Sequence, residues 1–206
     1  MRGEQAMINF ILRHGQTDPS VQHMVNGDPT CPVYLNRAGE QACIRVRSSI
    51  DARNVGTWVT SEFPRAQQTA QLLIGSSVTS VRVERGLNEL DYGTFEGAPF
   101  LAYGDWLARH GADKRPKGSA ESQREAILRM LEALRTITHY PGDRVVIAHG
   151  LLVSVLVWGL SESHESMPLF MPEAPYLKPL EVPDEELVDL LASLISRLTV
   201  AAEIGG

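Results

Sequence analysis

The stretch Arg144-Val145-Val146-Ile147-Ala148-His149-Gly150 sets the fold. Its apolar run is too short for a helix and shows no polar alternation, the pattern of a strand covered on both faces. It stops at a His-Gly pair, after which an apolar segment of helical length runs to about Trp158. Working outward, the same unit recurs. Ile8–Leu12 is a short apolar run halted by Arg13-His14-Gly15-Gln16-Thr17. Thr57–Ser61 is another, followed by a helix with Pro64 in its first turn and Gly75 at its end, and Val81–Val83 is a third strand candidate. Between them, Asn36 caps a helix to about Ile50, Pro99–Arg109 is a helix with Gly111 just past it, and Ser119–His139 is a longer one. Asp18–Pro32 reads as loop. Strands alternating with helices predict a three-layer α/β/α sandwich with a mostly parallel central sheet.

The tail departs from this alternation. Met167–Pro183 holds five prolines and is excluded as continuous helix, while Asp184–Ala202 carries Leu187, Leu190, Leu191, Leu194, Ile195 and Leu198 at helical spacing. The expected organisation is one domain over residues 1–206, with a core of about 7–160 and a tail, 161–206, that covers or shapes a pocket.

A chain of 206 residues buries enough surface for a full core without staples. Its net charge of −6 argues against general binding to nucleic acid or an anionic membrane. Cys31 and Cys43, with no Cys-x-x-Cys, exclude a disulfide scaffold and a zinc ribbon. Neither a secretory leader nor a membrane-spanning run is recognisable, so a cytoplasmic location is expected.

Four segments carry chemistry. In an open α/β sheet ligands bind outside the carboxyl ends of the strands, where Arg13-His14-Gly15 falls. A histidine there can attack phosphorus, an arginine can neutralise phosphate oxygens, and a glycine lets backbone approach a ligand. Composition predicts roughly 0.04 chance occurrences of this tripeptide. It occurs again at Arg109-His110-Gly111, where helix capping accounts for it. His149-Gly150 repeats the His-Gly pair at a second strand end, although a lone histidine at such a junction is more often structural. Arg65, within Ser61-Glu62-Phe63-Pro64-Arg65, opens a helix whose dipole disfavours a cation, so something anionic is expected beside it, the plain alternative being a salt bridge to Glu62 or another neighbour. Leu87–Gly97 holds Glu89, Asp91 and Glu96 in an apolar, glycine-marked loop; any of them could protonate a leaving oxygen, and the plain alternative is turn chemistry.

In this order the segments resemble the histidine phosphatase superfamily, in its phosphoglycerate-mutase-like branch. LRHGQT, SEFPRAQQTA, LNELDYGTFEG and VVIAHG match that family's successive motifs over about Ile8 to Trp158, and PKGSAESQREAILRM is similar to its Gly-Glu-Ser segment. The resemblance implies that His14 carries the phosphoryl group, its other ring nitrogen held by a backbone carbonyl. Arg13, Arg65 and His149 would surround the phosphoryl oxygens, with two arginines and one or two histidines supplying positive charge. Glu89 would be the proton donor, and Thr17 and Ser20 would lie on the substrate. No cofactor or metal is implied. Ser20 stands where the family often has Asn, and Ser154 where it often has Arg. Segments 18–35, 98–120 and 161–180 would build the leaving-group side. The expected activity is hydrolysis of a small-molecule phosphate monoester; the alternatives are a phosphoglycerate-type mutase and a non-catalytic phosphate-binding module. Oligomeric state is left open.

Overall fold

The computed structural model describes residues 7–50, 55–76, 80–161 and 166–204. Its five strands, β1 (Ile8–Arg13), β2 (Thr57–Thr60), β3 (Val81–Val83), β4 (Arg144–Ala148) and β5 (Leu180–Pro183), form one sheet in the order β3-β2-β4-β1-β5. All pairs are parallel except β1 with β5. The central strands are apolar throughout because both faces are covered: Ile11, Val59, Val146 and Ala148 enter one core, and Leu12, Trp58, Val145 and Ile147 the other. Helices α2 (Arg37–Val46) and α3 (Pro64–Ile74) cover the second core. Helices α5 (Gln123–Ile137), α6 (Gly150–Leu160) and α7 (Asp184–Ile204) cover the first. Above the carboxyl ends of the strands, α4 (Phe100–His110) packs Tyr103 and Leu107 with Val25, Leu90 and Tyr92 in a third cluster.

Two expectations are corrected and a third is extended. The 18–32 segment is not all loop: Thr17 caps a one-turn helix, α1 (Asp18–Val21), its hydroxyl accepting from Ser20 N. The helix expected from Ser119 begins at Gln123, because Ser122 and Glu125 form a reciprocal capping box while Ser119 bonds to the Asp91 and Glu121 carbonyls. The tail is more than prolines and a helix. Residues 180–183 add the antiparallel edge strand, and Leu187, Leu191, Leu194 and Leu198 complete the first core. Pro183 is tolerated at the strand's end, on an edge, where a missing N–H costs no inner ladder bond. At the amino ends of the strands the tail is anchored by a buried arginine. Arg144, 1% exposed, pairs with Asp184 and donates to Asn9 Oδ1 (3.1 Å) and to the Thr138 and Tyr140 carbonyls (2.6 and 2.7 Å).

Among the described residues no helix is long and apolar enough to cross a membrane. The second Arg-His-Gly ends α4, with Gly111 at φ 81°, Arg109 Nε donating to Asp105 O and His110 Nδ1 2.8 Å from Trp106 O.

Candidate active site

The parallel pairing of β1 with β4 sets Arg13 beside Ala148, and His14 N donates to Ala148 O at 3.1 Å. The next residue on each strand is therefore a histidine at the same sheet end. The two rings stand 5.3 Å apart, edge to face, and both are buried. Arg65, in the first turn of α3, reaches between them and is 4% exposed.

The hydrogen bonds fix the tautomers. A guanidinium can only donate. Arg65 Nε lies 3.0 Å from His14 Nε2, so that nitrogen carries the lone pair, and His14 Nδ1–H donates to Gly15 O at 2.7 Å. Arg65 Nη2 lies 3.3 Å from His149 Nδ1, which leaves the proton on His149 Nε2, donated to Ser61 Oγ at 2.8 Å. Burial, with Arg65 next, holds both imidazoles well below the usual histidine range. Charge in the resting site therefore comes from the arginines, correcting the expectation that histidine cations contribute. Arg65, pushed down to about 10 by burial, remains charged at neutral pH.

The partner expected for Arg65 is not Glu62, which binds Arg85 and Asn88 instead. Its Nη1 donates to the Asn26 side chain, and its Nη2, besides facing His149, donates to the Asn26 carbonyl. Asn26 in turn donates to Glu96 at 2.7 Å, and Glu96 also takes Gly27 N at 2.8 Å. Asp91 is likewise occupied, accepting from Gly93 N and Ala120 N. Glu89 is the carboxylate left facing the histidines, its Oε2 4.0 Å from His149 Nδ1. Burial raises its pKa despite the Leu90 N–H donated to Oε1. Arg129 of α5 clamps this loop, donating to the carbonyls of Gly86 and Asn88 at 2.9 Å and to Glu121.

Arg13 is held differently. Nη1 donates to Glu173 (2.6 Å) and Ala174 O (2.8 Å), and Nη2 donates to Tyr176 Oη (3.1 Å). Its Nε is buried without a hydrogen-bond partner among the described residues. Thr17 and Ser20 reach the site but bond to each other, Oγ1 to Oγ at 2.9 Å. Gly15 does not serve ligand approach as expected. A Cβ there would lie 3.1 Å from Leu35 and 3.2 Å from Cys43, so its constraint is core packing.

Of these groups, Arg13, His14, Thr17, Ser20, Asn26, Arg65 and Glu89 line a cleft of about 240 Å³ whose far wall comes from Met24, Phe100, Tyr103 and residues 169–174. Sequence reading passed over Asn26, Tyr103, Glu173 and Tyr176. Asn26 lay in a stretch read only as loop, and the tail residues carry no spacing that ties them to the sheet end.

An imidazole lone pair, a buried arginine set on it and a second histidine at the end of the neighbouring parallel strand make a pocket suited to an anionic group. A sequence profile of the histidine phosphatase superfamily, branch 1, matches residues 10–172, and the chain belongs to that superfamily. Its relatives include a probable phosphoglycerate mutase GpmB of Cronobacter sakazakii, 28% identical over 158 residues that span 72% of each chain. Among solved structures, the mycobacterial glucosyl-3-phosphoglycerate phosphatase in complex with VO3 is similar with a TM-score of 0.62 at 27% identity, over 77% of this chain and 84% of that one. The alpha-ribazole phosphatase of Shigella flexneri shares the fold, with a TM-score of 0.62 at 22% identity, over 79% of this chain and 82% of that one.

Proposed function

We propose that this protein hydrolyses a small-molecule phosphate monoester through a phosphohistidine on His14. The observation that carries the reading is the fixed tautomer of His14, whose Nε2 lone pair points at the Arg65 guanidinium that would hold the phosphoryl oxygens. The lone pair attacks phosphorus and the P–O bond to the alcohol breaks. Glu89, whose pKa burial raises, gives a proton to the departing oxygen. A water then attacks the phosphoryl group, its proton passes to the Glu89 carboxylate, and the N–P bond breaks to release phosphate and restore His14. Arg65, with the free Nε–H of Arg13, neutralises the equatorial oxygens, and His149 adds a donor when the dianion raises its proton affinity. Thr17 and Ser20 shape the cleft beside the substrate.

The name of the relative from Cronobacter sakazakii supports a second reading, a mutase that returns the phosphoryl group to another hydroxyl. Phosphate release from a panel of monoesters, with a trap for acid-labile phosphoenzyme, separates the two. Wild type is expected to release phosphate from at least one ester and to form the phosphoenzyme, and His14→Ala to do neither. Phosphoenzyme without release favours the mutase, and equal release by both proteins overturns the nucleophile.

A further inference from the structure

The cleft has two chemically different ends. Among the described residues lining it, the arginines are Arg13 and Arg65, and no lysine is present. Arg65 is committed to the two catalytic histidines and Asn26, and the Nη groups of Arg13 to Glu173, Ala174 O and Tyr176. Away from the histidines the wall is Met24, Phe100, Leu151, Leu169, Phe170 and Met171, none of them charged. Ser154 faces the cleft from α6, but its hydroxyl donates to Pro172 O at 2.8 Å and so fastens the strand of tail above it. One polar group on that side has no partner: the Tyr103 hydroxyl is buried and unbonded among the described residues. The one charge on the tail side is the Glu173 carboxylate, its side chain 54% exposed.

A leaving group bearing a carboxylate or second phosphate would be desolvated here beside no cation other than Arg13, whose Nη1 Glu173 already pairs, and would meet that carboxylate. An uncharged alcohol with an apolar face would cover Phe100, Leu169 and Phe170 and could give the Tyr103 hydroxyl its missing hydrogen bond. We propose that this cleft selects monoesters of uncharged, apolar-faced alcohols, and that Glu173 is the specificity-determining residue that turns anionic leaving groups away. The inference rests on the phosphatase reading above and narrows its substrate class.

The test compares kcat/KM for phenyl phosphate and 3-phosphoglycerate, by phosphate release, in the full chain and in Glu173→Gln. Wild type is expected to prefer phenyl phosphate at least about ten-fold, and Glu173→Gln to narrow that preference about five-fold, mainly through a gain on 3-phosphoglycerate. Equal use of the two esters by wild type, or better use of 3-phosphoglycerate, overturns the selectivity. A preference left within about two-fold by Glu173→Gln overturns the role of that carboxylate. Should the variant lose its cooperative melting, Phe170→Ala at the half-exposed wall tests the apolar side. It should raise KM for phenyl phosphate more than for methyl phosphate, and equal effects count against the proposal. A folded wild type that releases phosphate from no ester overturns the phosphatase reading itself, an outcome distinct from release without preference.

Discussion

The floor and the roof of the cleft are built on different terms. His14, His149, Ser61 and Arg65 come from strand ends and a helix start, are buried, and are bonded to one another at 2.8–3.3 Å. The roof, residues 169–176, is held by Arg13, by Ser154 and by Gln123 Nε2 donating to Leu169 O at 3.4 Å, and its Glu173 and Phe170 are about half exposed. A floor fixed by sheet register can hold a reaction geometry within tenths of an ångström, whereas a roof held mainly by side-chain bonds, with backbone pairing to β1 only at Tyr176, can change without moving it. On the proposed mechanism, the nucleophile and its anion-binding partners sit at the sheet end, while the choice of ester would fall to the tail.

The sharpest way to break that division is Glu89→Gln, which leaves floor and roof in place and removes a proton. It should lower kcat/KM by roughly 10²–10⁴ for phenyl phosphate and by less for p-nitrophenyl phosphate, whose oxygen leaves without help. The pH profile carries the same assignment. On the proposed mechanism activity needs His14 deprotonated and Glu89 protonated; the depressed His14 pKa would then move the rising limb to lower pH, and the raised Glu89 pKa the falling limb to higher pH. Glu89→Gln should abolish the falling limb, and a limb that survives assigns the acid elsewhere.

A smaller effect is expected where the tail meets the sheet. Asp184→Ala leaves the buried Arg144 with neutral acceptors only and should cost about 3 kcal/mol in denaturant unfolding. Because this pair lies at the opposite end of the strands from His14, the limbs of the pH profile should not shift. Smallest is Ser154→Ala, which releases Pro172 from α6. The loss is about 1 kcal/mol, with a change in KM of a few-fold and kcat nearly intact. A matching fall in kcat would mean that the roof takes part in the chemistry.

What could be read from the sequence follows the same line. Arg13-His14-Gly15 and His149-Gly150 were legible because a buried parallel strand announces itself as an unbroken apolar run and its end is where polar residues begin. The strand at 180–183 was not: flanked by Pro179 and closed by Pro183, it pairs on one side only and carries no such run. Glu89 could be told from Asp91 and Glu96 only by where each carboxylate's hydrogen bonds go, which spacing does not encode. The capping boxes Thr17–Ser20 and Ser122–Glu125 were present as residue patterns, and reading them would have set both helix starts. The contact of Arg13 with Glu173 spans 160 residues and leaves no local trace.

The pairing of β1 bears on how the protein is made. The strand that leads into His14 has no neighbour close in sequence: Asn9 meets Arg144 across 135 residues on one side and Val182 across 173 on the other. During synthesis, which proceeds from the N-terminus at about 5–20 residues per second, Ile8–Arg13 waits several seconds with both edges unpaired. Activity on the ribosome should therefore switch on late, only once β4 and then the tail have emerged, and the interval before that is when the nascent chain most needs protection from aggregation.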